Sequence, residues 1–448
     1  PPRSTLFPYT TLFRSAASSH TGALATSDVA VDALFRKAGI VRCYGREDLA
    51  TVASIFMHKE MKGKRIAIIT HAGGPAVMLT DVLSGGGFEI PHLEGPETKE
   101  LLSKLHPGSS VANPIDFLAT GNAAQLDTIL DYCEHKFHDI DAMVVIFGSP
   151  GLFDVTEVYK VIDERMKKCQ KPIYPVIPSI INAAQEIQYF LSQKRMFFPD
   201  EVLFGQALNK IVATPPPSPS EIDSPAVDMG KVEEVVQRVK NGYLSPVDVQ
   251  TLLDACGLER AQEKVVKSVQ EAMEAARELG YPLVMKVVGP LHKSDVGGVA
   301  LGLKEDKAVE ETFGRMMGIE GANAVLMQPM LSGTELFVGA KKEDKFGHIV
   351  LCGTGGILIE VLKDVVPAIC PIGKEEALGM IRRLKGYKII QGVRGQEGVN
   401  EDRLAEVILR VSALLKAVPE ISEMDLNPLL GSKQRVIAVD ARIKIEKP

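Results

Sequence analysis

Several things are missing from this 448-residue chain, and each absence excludes a class of protein. No apolar run approaches the roughly 20 residues that a bilayer-spanning helix needs, so no transmembrane segment is read and no membrane partner is expected. Cysteine is sparse: Cys43, Cys133, Cys169, Cys256, Cys352 and Cys370 lie scattered, with no paired spacing. That pattern speaks against a disulfide framework or a zinc site and predicts reduced, mostly buried thiols in a cytoplasmic protein. A large excess of one charge is absent too, since 51 basic and 57 acidic side chains give a net −6. Nucleic acid is therefore not the expected partner, although local basic sites for phosphate remain open. No G-x-x-x-x-G-K-S/T loop occurs, which excludes a P-loop nucleotide site. The remainder, 45% hydrophobic and 24% charged, is ordinary globular composition with length for about three domains.

The first residues stand apart. Thr5–Ser15 (TLFPYTTLFRS) resembles the in-frame translation of a DNA-sequencing adaptor, so residues 1–15 are read as foreign and the native frame is expected to begin earlier. A polar loop, Ala16–Ala25, leads into a helix over Asp28–Ala38 that Gly39 stops. Lys64-Arg65 introduces Ile66–Thr70, a short apolar run suited to a buried parallel strand. A helix follows, ending at Gly85-Gly86-Gly87, then a strand at Phe88–Ile90 and a helix over Pro96–Leu105. Met143–Phe147 and Ile173–Ile177 are further strands, Pro175 placing the last at an edge. Strands alternating with helices imply a doubly wound parallel sheet. Thr214–Pro225 (TPPPSPSEIDSP) is an extended linker and the clearest boundary. Beyond it, Ser245-Pro246 opens a helix ending near Cys256-Gly257, Ser268 and Glu271 form a capping-box pattern, and Tyr281–Val288 is a strand.

Chemistry concentrates after the linker. Lys286 sits inside an apolar strand, where a charge is costly without an anionic partner, and a phosphate fits that need. The plainer alternative is a strand-end lysine reaching solvent. Gly297 and Gly298 let backbone N–H groups approach a phosphate. Asn427 and Asp440, on adjacent strands joined through a turn at Gly431, supply hard oxygens suited to magnesium, which takes few carboxylates. Asp425 faces the same side as Asn427. Read plainly, Asp425–Asn427 is a turn with capping groups. His135-x-x-His138 lacks a third ligand and is taken as a wet helix face.

At this point a resemblance becomes specific. YPLVMKVVGPLHKSDVGGV over Tyr281–Val299 resembles the signature of the ATP-grasp half of the ADP-forming acyl-CoA synthetases, relatives of succinyl-CoA synthetase. VLMQPM over Val325–Met330 is similar to the hinge strand that reads adenine with backbone groups, which places Gln328 and Met330 at the base. Glu335 in GTELFVG resembles the acid that holds the ribose. Phe346–Lys363 matches the family's glycine-rich strand pair, and Leu384–Arg394 (LKGYKIIQGVR) adds Arg394 to the site. Met424–Leu429 with Val439–Ala441 resembles the magnesium site, Asp425 lying near the phosphohistidine. Ser18–Gly22 (SSHTG) is similar to the loop whose histidine, here His20, carries a phosphoryl group, a role that suits an imidazole at neutral pH. Outside the family match, His20 is a solvated loop residue. His292 resembles a second histidine that passes the group toward the nucleotide, or is a hydrogen-bonded loop residue. Thr70–Pro75 resembles a strand-to-helix turn whose helix N-terminus, at Gly73 and Gly74, attracts the phosphate. The family carries Asn or a similar residue where His71 stands. Asn113–Asp116 matches a family turn and is read as structural.

The resemblance, covering about Ala16 to the C-terminus, implies a flavodoxin-like doubly wound α/β ligase domain followed by an ATP-grasp domain. Residues 16–46 are then a remnant of the preceding CoA-ligase domain with the phosphohistidine loop, 47–212 the flavodoxin-like domain, 213–226 the linker and 227–448 the ATP-grasp domain. It also implies the reaction acyl-CoA + ADP + phosphate ⇌ acid + CoA + ATP with ATP/ADP and Mg2+, CoA binding through domains missing at the front, and an oligomer when intact. Catalytic roles fall on His20, His292 and Asp425. Two other readings stay open: the regulatory platform of a protein acetyltransferase, whose acetyltransferase module has no counterpart here, and a nucleotide-binding module without catalysis.

Overall fold

The computed structural model describes residues 28–149, 155–178, 181, 183–289, 297–355, 364–393, 395 and 397–447. They divide into two compact units, one of Gly39–Pro216 and one joining the N-terminal segment through Ala38 to Pro217–Pro448. The boundary falls inside the Pro/Ser-rich linker.

The first unit is a parallel sheet in the order β2-β1-β3-β4: β1 Ile66–Thr70, β2 Ile115–Asp116, β3 Ala142–Ile146 and β4 Ile173–Val176. β1 and β3 are buried at every position, as their unbroken apolar runs require when helices cover both faces. Pro175 lies on edge strand β4, where its missing N–H costs no ladder bond. The strand expected at Phe88–Ile90 narrows to a single parallel bridge between Arg65 and Glu89. The two-residue β2 is completed by a side chain. Asn113, at φ 67°, accepts from Ile68 N (3.0 Å) and donates through Nδ2 to the Ile66 and Pro91 carbonyls (3.0 Å each). An amide that offers both donor and acceptor thus extends the pairing of β1 where the chain turns.

The second unit holds two sheets. The smaller is antiparallel in the order β6-β9-β7-β8: β6 Lys264–Val266, β7 Leu283–Val288, β8 Val299–Leu303 and β9 Ala324–Pro329. Helices Val269–Leu279 and Asp306–Met317 cover one face of it. Ser268 caps the first by accepting from Glu271 N, but the Glu271 carboxylate accepts from Lys267 N rather than from Ser268, so only half the expected capping box forms. The larger sheet runs β12-β11-β10-β13-β15-β5, with β14 on β13: β5 Gly242–Tyr243, β10 Thr334–Glu343, β11 Gly347–Thr354, β12 Val365–Ile369, β13 Ile421–Gly431, β14 Val436–Ala438 and β15 Ala441–Ile445. Its core packs on helix Glu401–Ala417, whose apolar face is buried from Leu404 to Leu415.

Helix Asp28–Lys37, expected from the sequence as the remnant of a preceding domain, packs on this larger sheet. Ala30 and Ala33 are buried against Phe337, Ile349, Leu351 and Ile369. Lys37 Nζ donates to the Pro371 carbonyl (2.6 Å) and pairs with Glu376 (2.9 Å), while Ser218 N donates to the Lys37 carbonyl (2.8 Å). All six cysteines are free, four of them buried. Among the described residues no helix is long and apolar enough to cross a membrane. Asn113→Ala removes three hydrogen bonds, two of them on β1, and leaves buried backbone groups unmet. The substitution is expected to lower unfolding stability by about 2–4 kcal/mol in urea titration.

Candidate functional site

Strand register decides which side chains meet in the second unit. Val284 lies opposite Gln328 across β7 and β9, and Lys286 is two residues further along β7. All three therefore point to the same face of the smaller sheet. On that face Lys286 is only 8% exposed, and its Nζ donates to the Val439 carbonyl at 2.8 Å with Asp440 Oδ2 at 3.8 Å. The solvent-reaching alternative for this lysine is thereby set aside. Gln328 is 1% exposed; oriented so that its oxygen and nitrogen each meet a complementary partner, its amide donates to Glu263 Oε1 and to the Val439 carbonyl, both at 3.2 Å. The sequence-predicted Lys286 and Gln328 thus come together with Asp440 in one polar cleft between the two sheets.

Asn427 and Asp440 meet through the backbone, Asn427 N donating to the Asp440 carbonyl at 3.1 Å. The two side chains offer one amide and one carboxylate oxygen donor. No cluster of three or more His, Cys, Asp or Glu suited to a metal occurs among the described residues. The Asn427–Asp440 donor set fits magnesium, which completes its shell with waters and substrate phosphates, better than it fits zinc or calcium. Gly297 takes φ +66° at the mouth of β8, where its carbonyl accepts from Arg315, and the Gly298 carbonyl accepts from Val287 N at 2.8 Å. Glu335 is exposed at the start of β10. Met330 is 46% exposed, and its amide is committed to the Pro282 carbonyl (2.9 Å). His20, His292 and Arg394 lie outside the described residues.

Asp425 stands in a cross-strand row on the larger sheet. Leu351 faces Gly339, Gly339 faces Asp425, and Asp425 faces Arg442. Gly339 is required here because a Cβ would lie 2.5 Å from the Phe337 ring. Leu351 and Phe337 also carry helix Asp28–Lys37, so the helix and Asp425 share one sheet face. Asp425 is half-buried and its Oδ1 has no hydrogen-bond partner. Burial first, then the charges of Asp440 and Glu423, push its carboxyl up to about 6 against the pull of Arg442.

A second cluster lies in the first unit, at the C-terminal ends of β1, β2 and β3, the position where open α/β sheets hold ligands. Helix Gly73–Gly85 starts there, with Gly73 close to Asp116. His71 places Nδ1 3.3 Å from the Ile146 carbonyl and its ring 4.5 Å from that of Phe147. Burial holds its pKa below the ordinary value, so the ring is neutral at pH 7.

Glu263 and Gln250 join this cleft's cluster around Gln328, and the sequence reading missed both. Gln250 Nε2 donates to Glu263 Oε2 at 2.9 Å. Glu263 lies just before a three-residue strand, too short to show a period, so only the packing reveals it.

Comparison with known proteins fits this geometry. The family model described as ATP-grasp domain matches residues 225–445, and that described as succinyl-CoA ligase like flavodoxin domain matches residues 10–56. Residues 225–445 thus form an ATP-grasp domain. The chain is 33% identical over 441 residues to the ADP-forming acetate–CoA ligase I of Archaeoglobus fulgidus, covering 96% of this chain and 64% of that protein. To the ADP-forming 4-hydroxybutyrate–CoA ligase of Nitrosopumilus maritimus it is 29% identical, over 93% of this chain and 62% of that one. To the beta subunit of ADP-forming acetate–CoA ligase I of Pyrococcus furiosus it is 38% identical over 229 residues, 48% of this chain and 98% of the subunit. The chain belongs to the ADP-forming acetate–CoA ligase family. It spans somewhat under two thirds of the length of the first two of these relatives.

Because the folded Asp425 carboxyl titrates above its unfolded value of 3.8, its ionisation opposes folding. The penalty is absent below pH 3.8 and complete above about pH 6. Asp425→Asn should therefore match the wild-type Tm near pH 3.5 and exceed it near pH 7, as measured by calorimetry across that range.

Proposed function

We propose that this chain carries the nucleotide-binding and phosphoryl-transfer part of an ADP-forming acyl-CoA synthetase, acting in acyl-CoA + ADP + phosphate ⇌ acid + CoA + ATP. The observation that carries the reading is the Lys286–Val439–Asp440 cleft, in which a buried ammonium lies 3.8 Å from the Asp440 carboxylate and Asn427 is joined to Asp440 by a backbone hydrogen bond. Lys286 neutralises charge on the nucleotide phosphates, and Asn427 and Asp440 hold the magnesium. A magnesium ion held there would supply charge neutralisation to the phosphates. Gln328 and Met330 border the base, Glu335 the ribose, and Gly297 and Gly298 the phosphates.

His20 is the group that carries the phosphoryl between sites. It lies eight residues before Asp28, so the chain permits it to reach at most about 28 Å from that helix end. The helix packs on the sheet face that bears Asp425, which supports a route from His20 to the cleft. There the Asp425 carboxylate accepts a hydrogen bond from the ring N–H of His20 that is not phosphorylated, fixing its tautomer. Transfer breaks the N–P bond of His20 and forms an O–P bond to the terminal ADP oxygen, returning the imidazole to its neutral form. His292 serves as a relay in the same transfer. At the other centre the N-terminus of helix Gly73–Gly85, through Gly73 and Gly74, stabilises the phosphate while His20 is loaded. CoA and the acyl group bind to domains matching the remaining third of the relatives' length. The Pyrococcus furiosus relative is named as a beta subunit, which supports assembly into an oligomer.

The test is mass spectrometry of the chain after incubation with ATP and magnesium. Acid-labile phosphate on His20 is expected, lost in His20→Gln and reduced at least about 100-fold in rate in Asp440→Asn. ATP binding without phosphate on any histidine would contradict the transfer reading.

A further inference from the structure

The nucleotide cleft contains a carboxylate with no place in the metal site. Glu263 is half-buried beside β6 and faces inward. Its Oε2 accepts from Gln250 on helix Pro246–Ala255, and its Oε1 accepts from the Gln328 amide on β9. The same Gln328 amide donates to the Val439 carbonyl, which is also the acceptor of Lys286 Nζ. One carbonyl of the larger sheet therefore collects two donors from the smaller one, and Glu263 fixes the orientation of one of them. Burial raises the Glu263 pKa, Gln250 and the charges of Lys286 and Arg260 oppose this, and Asp440 adds to it. Its charge thus acts on Lys286 within the same desolvated space.

Two carboxylates balance the Lys286 ammonium, Asp440 at 3.8 Å and Glu263 behind Gln328. A metal–nucleotide that engages Asp440 takes its charge away from the lysine, because a divalent ion more than neutralises one carboxylate. Glu263 then remains as a standing counter-charge among the described residues, and a buried lysine without one is costly. Resting on the reading of this cleft as the nucleotide site, we propose that Glu263 is a positioning residue: it locks the Gln328 amide and holds the Lys286 ammonium in place for the phosphates of a nucleoside diphosphate. It touches neither the phosphates nor the metal and acts through its two neighbours.

The experiment is calorimetric titration of the full chain with ADP and magnesium, for wild type, Glu263→Gln, Glu263→Asp, Lys286→Met and the double variant Glu263→Gln/Lys286→Met. Circular dichroism melts establish that each is folded. Glu263→Gln keeps the shape and loses the charge, so ADP affinity is expected to fall roughly tenfold. Glu263→Asp keeps the charge and is expected to bind within about threefold of wild type. In the Lys286→Met background the Glu263→Gln effect should shrink below about twofold, since the partner it acts through is gone. A merely structural role would give the same loss in both backgrounds, and that result would overturn the proposal. Wild-type affinity in Glu263→Gln would overturn it as well while leaving the nucleotide site intact. Failure of the folded wild type to bind ADP would overturn the nucleotide reading and this proposal together.

Discussion

A lysine on a strand between Met285 and Val287 cannot be left in an apolar sheet without a partner, and the architecture of the second unit meets that demand. The smaller sheet turns the face bearing Lys286 and Gln328 toward the segment joining β14 to β15, where the Val439 carbonyl and the Asp440 carboxylate wait. Asn427 is tied to Asp440 through the backbone, so the position of the lysine and that of the proposed metal donors are set together. The Val439 carbonyl at 2.8 Å and the Asp440 carboxylate at 3.8 Å are two of the groups that hold the ammonium. On the proposed reading, the same arrangement that makes the buried charge tolerable presents it to an anionic ligand.

The larger sheet links this cleft to the N-terminal segment. Its Leu351–Gly339–Asp425–Arg442 row has helix Asp28–Lys37 seated at one end and a carboxylate with an unpartnered oxygen in the middle. The helix is held by small-residue packing through Ala30 and Ala33 and by the Lys37–Glu376 pair, of which only the apolar part is insensitive to salt. Helix Asp28–Lys37 is thus held on the ATP-grasp body by both apolar packing and polar contacts.

Much of this was legible in the sequence where one local rule dominated. The apolar runs that became β1 and β3 had no other use than burial on both faces, and Pro175 could only sit on an edge strand. Lys286 announced its site because a charge within Val and Met residues contradicts the strand around it. Asn427 and Asp440 were legible through the resemblance and are brought together by the β13–β15 pairing. The rest depended on partners far away in the chain. Phe88–Ile90 has strand composition but only Arg65 to pair with, so it stays a single bridge. The Asn113 side chain does backbone work that no periodicity reports. Glu263 looks like a solvated acid until Gln250 and Gln328 close on it, and helix Asp28–Lys37 shows an apolar stripe without saying which sheet receives it.

The most direct test of the account is the affinity of ADP for Lys286→Met, measured by calorimetry with magnesium beside the wild type, with both chains shown to be folded. If the buried ammonium is held for phosphate, removing it costs about 100-fold or more in affinity without loss of fold, because the desolvated site has no water to replace the charge. Equal affinity in the two proteins would mean that Lys286 serves only to join the two sheets through Val439, and the cleft would lose its claim to be the nucleotide site.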